Sequence, residues 1–318
     1  MAAESGVPDY DPLFFRPCIF PILGELGYGT SITVNNALVG SRFSTDLDLS
    51  ISFLSSEGKI LGVAEDLAAL SPGEIRKIDT RDLLRNLNIT PSGNMLGVAH
   101  LVPPRFRGQK KVTVDRGELM AHVSSSDDFV EFRQEPKGVI TGVAYQMGPQ
   151  NDFRFSKTRT TMLQAPKAIV SRNVDTLFTL INASTSFDYT DTAHMDYLLM
   201  GPSGNRVARG SIEIPAWTYR SISVRQLLID HGLLDSFIAT GGLGMIIGLC
   251  RDSGLVPISM TRNLDSGAIA CDHTLPPLYY FTTWGGQKRI DTNAEIYRTL
   301  FENPSNDAAP AEGALARA

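Results

Sequence analysis

The run from Gly241 to Pro277, GGLGMIIGLCRDSGLVPISMTRNLDSGAIACDHTLPP, constrains this chain more than any other stretch. Its apolar segments are too short for ordinary helices and are divided by polar, Gly-containing turns. It therefore reads as three buried strands joined by two short connections. An earlier part of the chain echoes it. Leu177 to Asn182 precedes a polar loop, as Ile32 to Asn35 does. Met195 to Met200 runs into Gly201-Pro202-Ser203-Gly204, matching Leu49 to Leu54 followed by Ser55-Ser56-Glu57-Gly58. Ile78 then falls over Ile222, Arg81 over Arg225, and Leu83-Leu84 over Leu227-Leu228. Further on, Arg133 to Gly138 falls over Arg262 to Gly267. One β-rich unit used twice accounts for the pattern.

The reading this supports is an all-β chain of two tandem antiparallel β-sandwich units with a few short helices. Asp46 to Leu54 alternates strictly, with Leu47, Leu49, Ile51 and Phe53 on one face, as a strand over a core requires. Asp79 to Leu87 reads as a short helix with Asp79 or Thr80 as its cap. Residues 1–27 form an arm rich in Pro and aromatics, and 28–150 the first unit. Residues 151–175 read as a linker and 176–277 as the second unit. An aromatic extension with a short helix occupies 278–302, and a flexible tail 303–318. The spacing between partner segments shortens after the short helix, which places an insertion in the first unit at about 103–117.

At 318 residues, 42% of them hydrophobic and 20% charged, the chain suits two domains with real cores. A net charge of −5 gives no general basis for binding nucleic acid, which needs a cationic face. There is no run of about 20 apolar residues to span a membrane, and the first residues lack the basic start and apolar core of a signal peptide. Three cysteines are too few for a disulfide scaffold. Together these predict a cytoplasmic protein.

Several groups carry chemistry. Arg105, Arg107, Lys110 and Lys111 crowd the insertion, which reads either as a clamp for an anionic ligand or as a solvated hairpin. Cys271 and His273 share a face of one strand; with Cys250 on a neighbouring strand they would offer three zinc ligands. A Cys–His nucleophile and base, or plain core packing, are the other readings of the same residues. Tyr279, Tyr280, Phe281 and Trp284 follow, close to Arg262 and His273 if the turn folds back. They suit a ligand pocket, a seal between the units, or a subunit interface. Signatures of nucleotide-binding, zinc-protease and serine-hydrolase folds are missing, and no cofactor is called for.

The segment Val256-Pro257-Ile258-Ser259-Met260-Thr261-Arg262-Asn263-Leu264-Asp265-Ser266, with Ile212 to Ala216 running into Ile222-Ser223-Val224, resembles the small β-sandwich family of sensory rhodopsin transducers. The resemblance covers about a third of the chain. It implies a compact antiparallel sandwich that binds a partner or small ligand without catalysis and tends to oligomerise. The expected function is thus a non-catalytic binding protein with a ligand site near the domain junction, its partner a small molecule, another protein or a further copy of the chain. One alternative is a cofactor-independent enzyme using Asp272, His273 and Tyr279 for acid–base chemistry on a small apolar substrate. The other is a structural subunit of a homo-oligomer.

Overall fold

The computed structural model describes residues 11–15, 17–36, 45–114, 128–134, 139–146, 161–273, 291 and 294–302. Sixteen strands and three short α-helices make up most of them. The first set comprises β1 (Cys18–Ile22), β2 (Tyr28–Asn35), β3 (Leu47–Leu54), β4 (Ile60–Leu70), β5 (Ile75–Asp79), α1 (Thr80–Asn86), β6 (Met95–Val102), β7 (Asp128–Gln134) and β8 (Val139–Gln146). The second comprises β9 (Thr161–Ile169), β10 (Val174–Asn182), β11 (Ala193–Met200), β12 (Arg206–Ile214), β13 (Thr218–Ser223), α2 (Val224–Asp230), α3 (Leu234–Ala239), β14 (Leu243–Cys250), β15 (Leu255–Asn263) and β16 (Ile269–His273).

The strand orders are the same in both sets. The first has sheets β1-β6-β3-β4 and β5-β2-β7-β8; the second has β9-β14-β11-β12 and β13-β10-β15-β16. Every pairing is antiparallel. A buried asparagine fixes the same corner in each unit. Asn36 donates from its side chain to Thr45 O and Leu70 O, and Asn182 to Asp191 O and Ile214 O. The backbone oxygens of the two asparagines accept from the N–H of Gly73 and Trp217.

Two segments differ from the sequence reading. Cys18–Ile22, within the expected arm, is strand β1, and Thr161–Ile169, within the expected linker, is strand β9. Pro21 and Pro166 obscured them, since proline removes a ladder donor. Among the described residues both strands lie at sheet edges, pairing only with β6 and β14, and an edge tolerates that loss. Pro166 moreover falls where the β9–β14 register shifts. The connection from β6 to β7 spans residues 103–127, whereas its counterpart from β14 to β15 spans only 251–254.

Alternation along the strands explains how the units are joined. In β10, Phe178 and Leu180 point into the second sandwich, while Leu177 and Ile181 point out. The outward set, with Val256, Ile258, Met260 and Ile269, is continuous with the first unit's core around Ile32, Phe53 and Phe132. Sheet β13-β10-β15-β16 is therefore apolar on both faces, and the two sandwiches form one packed body. Tyr219 Oη donates to Ile22 O (3.1 Å) and Tyr28 Oη to Gly267 O (2.9 Å), which satisfies two hydroxyls at the seam. Gly58 turns the β3–β4 hairpin there; a Cβ at that position would lie 2.6 Å from Ala216 O. Among the described residues no helix is long and apolar enough to cross a membrane.

Candidate functional site

At the seam, β3 and β6 bring Ser52 and His100 together on the outer face of their sheet. His100 Nδ1 lies 2.9 Å from Leu13 O, and a carbonyl can only accept, so Nδ1 carries the proton. Nε2 then presents a lone pair to Ser52 Oγ at 2.9 Å, and the hydroxyl donates to it. This is the bonding of a nucleophile to its base. Both side chains are buried, however, and burial pushes the His100 pKa down from 6.5 to about 4. Phe14, Phe187 and Trp217 cover the pair, with ring centroids 4.9–5.7 Å apart. Trp217 Nε1 is buried without a hydrogen-bond partner among the described residues.

A second polar group sits at the start of α2. Asp175, buried, accepts from Ser223 Oγ (2.9 Å), Arg225 N (3.0 Å) and Arg262 Nη2 (3.3 Å). Arg262, an expected ligand contact, is thus held by an internal carboxylate. Its role here is to neutralise a charge the fold has buried. In the first unit Asp79 caps α1 and grips the Arg81 guanidinium.

The two cysteines of the alternative zinc set stand apart. Cys250 lies on β14 and Cys271 on β16, strands of different sheets. Cys250 belongs to the second unit's interior and donates to Asp252 Oδ1 (3.0 Å). Cys271 packs against the first unit, where a Cβ on Gly142 would lie 2.7 Å from its sulfur. Burial raises the pKa of both thiols, that of Cys271 to about 12, which works against either acting as a thiolate nucleophile. Among the described residues no three His, Cys, Asp or Glu side chains are placed to hold a metal ion. Asp272 and His273 belong to β16 by their backbone pairing with Ser259 and Ile258. Their side chains, and all of Tyr279, Tyr280, Phe281 and Trp284, lie outside the described residues.

The basic loop is partly spent on the fold. Arg107 pairs with Asp48 (2.8 Å) and Asp66 (3.4 Å), while Arg105 lies over the Phe106 ring at 4.7 Å. Lys110 and Lys111 are exposed. His194 and Asp252 were not singled out from the sequence. Asp252 Oδ2 accepts from His194 Nδ1 (2.8 Å), and that bond raises the pKa of the exposed imidazole.

The edge strands complete the picture. β12 presents Arg209, Ser211 and Glu213 to solvent, and Arg206 donates to Thr299 O in the helical segment 294–302. That segment also docks through Tyr297, whose hydroxyl donates to Asp196 (2.9 Å) and whose ring lies 3.8 Å under Arg251. The equivalent edge strand β4 instead exposes Ile60 (50%), Leu61 (47%) and Val63 (37%). Its neighbour across the sandwich edge, β5, exposes Ile75.

No family model and no curated protein matches the chain. Solved structures similar to it include a glycosyl hydrolase family 2 member from Bacteroides cellulosilyticus, at 9% identity and TM-score 0.19, covering 81% of this chain and 27% of that one. A Bacteroides uniformis beta-glucuronidase matches at 9% identity and TM-score 0.19, covering 80% and 25%. A beta-D-glucuronidase for Dictyoglomus thermophilum matches at 8% and 0.16, covering 81% and 35%. The chain spans about a quarter to a third of the length of these structures. Likeness this loose transfers neither site nor activity.

Proposed function

We propose that the chain is a non-catalytic interaction protein that acts as one rigid body and engages its partner along the open edge of the first unit. The observation that carries this reading is the contrast between β4 and β12. An edge strand offers unpaired backbone groups, and proteins ordinarily guard such an edge with charge or cover it. β12 is guarded in both ways, while β4 holds its exposed charges, Glu65 and Asp66, beyond a stretch in which three large aliphatic side chains face solvent. Among the described residues, the packed rings of Phe14, Phe187 and Trp217 hold the units together at the junction. In extracts of cells that make it, the protein should elute well above 34.6 kDa, and Val63→Lys should return it to the mass of a single chain. Elution as a single chain before any substitution overturns the reading.

One observation favours a second reading, that of a covered hydrolase: the Ser52–His100 bonding. A fluorophosphonate probe would then form an O–P bond at Ser52 with loss of fluoride, His100 taking the hydroxyl proton. Labelling of Ser52 in the intact protein that His100→Gln abolishes would establish it, and the absence of labelling would exclude it.

A further inference from the structure

The outer face of the sheet β9-β14-β11-β12 offers a docking position that is independent of the β4 edge. In β11 and β14 the side chains of Met195, Tyr197, Leu199, Ile246 and Cys250 fill the second unit's interior. Leu198, Ile247 and Leu249 alternate with them and so stand on the opposite face. Leu198 and Leu249 are buried all the same. Segment 294–302 lies on this face. The Tyr297 hydroxyl donates to Asp196, whose direct cross-strand neighbour is Leu249. The guanidinium of Arg251, two residues past Leu249, sits 3.8 Å from the centre of the Tyr297 ring. Phe301, one turn further along, stacks on Tyr297 with centroids 5.2 Å apart, and Arg206 donates to Thr299 O at 3.0 Å. We infer that this segment is a displaceable strap, and that the face beneath it is a docking site for a partner helix carrying two aromatic side chains four residues apart.

The first unit shows what this position is for. Ser52 and His100 occupy there the places of Leu198 and Leu249, and Phe14 covers them together with Phe187 and Trp217 of the second unit. That cover is permanent, since Phe14 and Trp217 are themselves buried. By contrast, no residue of 294–302 is buried. The strap is held by a few polar contacts of partly exposed groups, each of which is weak against water. The apolar strip also runs on past the strap. Ile247 and Met200 are half-buried, and Met245 and Leu243 on the same face are 37% and 52% exposed. A tethered segment competes at an effective concentration on the order of millimolar, so a partner displaces it only by gaining contacts that the strap lacks. A longer helix gains them at Met245 and Leu243, and methionine adapts readily to an incoming surface.

A fluorescently labelled peptide of residues 291–302 serves as the probe, and its anisotropy is read against the purified full chain. Tyr297→Ala/Phe301→Ala in the chain frees the face and should raise its affinity for the peptide about tenfold or more over the unsubstituted chain. In that opened chain Asp196→Ala or Arg251→Ala should lower the affinity again by about tenfold. A peptide that itself carries Tyr297→Ala and Phe301→Ala should not bind. None of the four sites is buried, and circular dichroism melts confirm that the variants fold. Equal affinity of the unsubstituted and opened chains overturns the strap. An opened chain that binds no peptide at millimolar concentration overturns the docking site, as does binding indifferent to Asp196→Ala and Arg251→Ala. If the unsubstituted chain sediments as a dimer that the free peptide dissolves, the segment comes from a second copy and the inference of a partner helix falls.

Discussion

The two units are the same fold solved twice, and one difference between them lies on the outer face of a sheet, where the first unit carries polar groups. Pairing of Leu54 with Leu96 corresponds to that of Met200 with Met245, so Ser52 and His100 in the first unit stand where Leu198 and Leu249 stand in the second. All four are buried. The fold thus accepts two leucines at a place where the first unit keeps a histidine and a serine. The second unit is the internal control: the polar pair is not required by the architecture. What it does is tie the segment carrying Leu13 and Phe14 to the seam between the units.

The carboxylates show the opposite displacement. Arg81 corresponds to Arg225 and Arg133 to Arg262, but the acid they answer has moved. In the first unit it is Asp79, the partly exposed cap of α1. In the second the cap is Ser223, and the acid is Asp175, a strand away and fully enclosed. The largest expected effect tests this contrast. Asp175→Ala leaves Arg262 without its partner inside the protein and should cost about 3–5 kcal/mol. Asp79→Ala removes an accessible cap and should cost about 1 kcal/mol. Urea unfolding of the two variants measures both, and equal losses would show that the burial of Asp175 has no energetic consequence.

Next in size is the pH dependence of the Ser52–His100 pair. The unfolded imidazole titrates near 6.5 and the folded one near 4, so the unfolded chain binds the proton more readily. The pair's contribution is therefore whole above pH 6.5 and is lost as pH falls from 6.5 towards 4. A gap of this size corresponds to about 3 kcal/mol. His100→Leu copies the second unit's residue but strands the Ser52 hydroxyl, so it should lower stability at neutral pH by about 1–3 kcal/mol. The same variant should flatten the acid-side loss. A wild-type profile already flat between pH 6.5 and 4 would remove the contrast with Leu198 and Leu249.

How much of this could be read in advance follows from the range of each signal. Strand alternation and turn composition are local, so the sandwich class, the repeat and a helix cap at Asp79 or Thr80 were visible, and the structure selects Asp79. β1 and β9 were hidden by prolines whose cost depends on being central or at an edge, which is a tertiary fact. Arg262 drew attention as a charged residue beside aromatics, yet its partner Asp175 lies 87 positions away. Ser52 and His100 are separated by 48 positions and look unremarkable apart. Only laying the two copies over each other, column by column, would have exposed them, as polar residues standing over leucines. The same comparison picks out Trp217, which falls over Gly73.

That last correspondence yields the smallest effect. Both residues adopt positive φ, 86° at Gly73 and 60° at Trp217, and both donate their N–H to the corner asparagine of their unit. Glycine has no Cβ to clash there, whereas any other residue carries a strain of about 1–2 kcal/mol. Gly73→Ala should therefore destabilise by about that amount. Trp217 already bears the strain, so Trp217→Phe changes only what the ring touches. It removes an indole N–H that is buried without a partner among the described residues, which favours the variant, and it leaves a small void among Phe14 and Phe187, which opposes it. The two terms are of similar size, and the net change should stay within about 1 kcal/mol. Thermal unfolding at neutral pH compares the pair. A loss on Trp217→Phe well beyond that of Gly73→Ala would mean that the indole N–H holds something in the protein's working state, and that the seam has a ligand of its own.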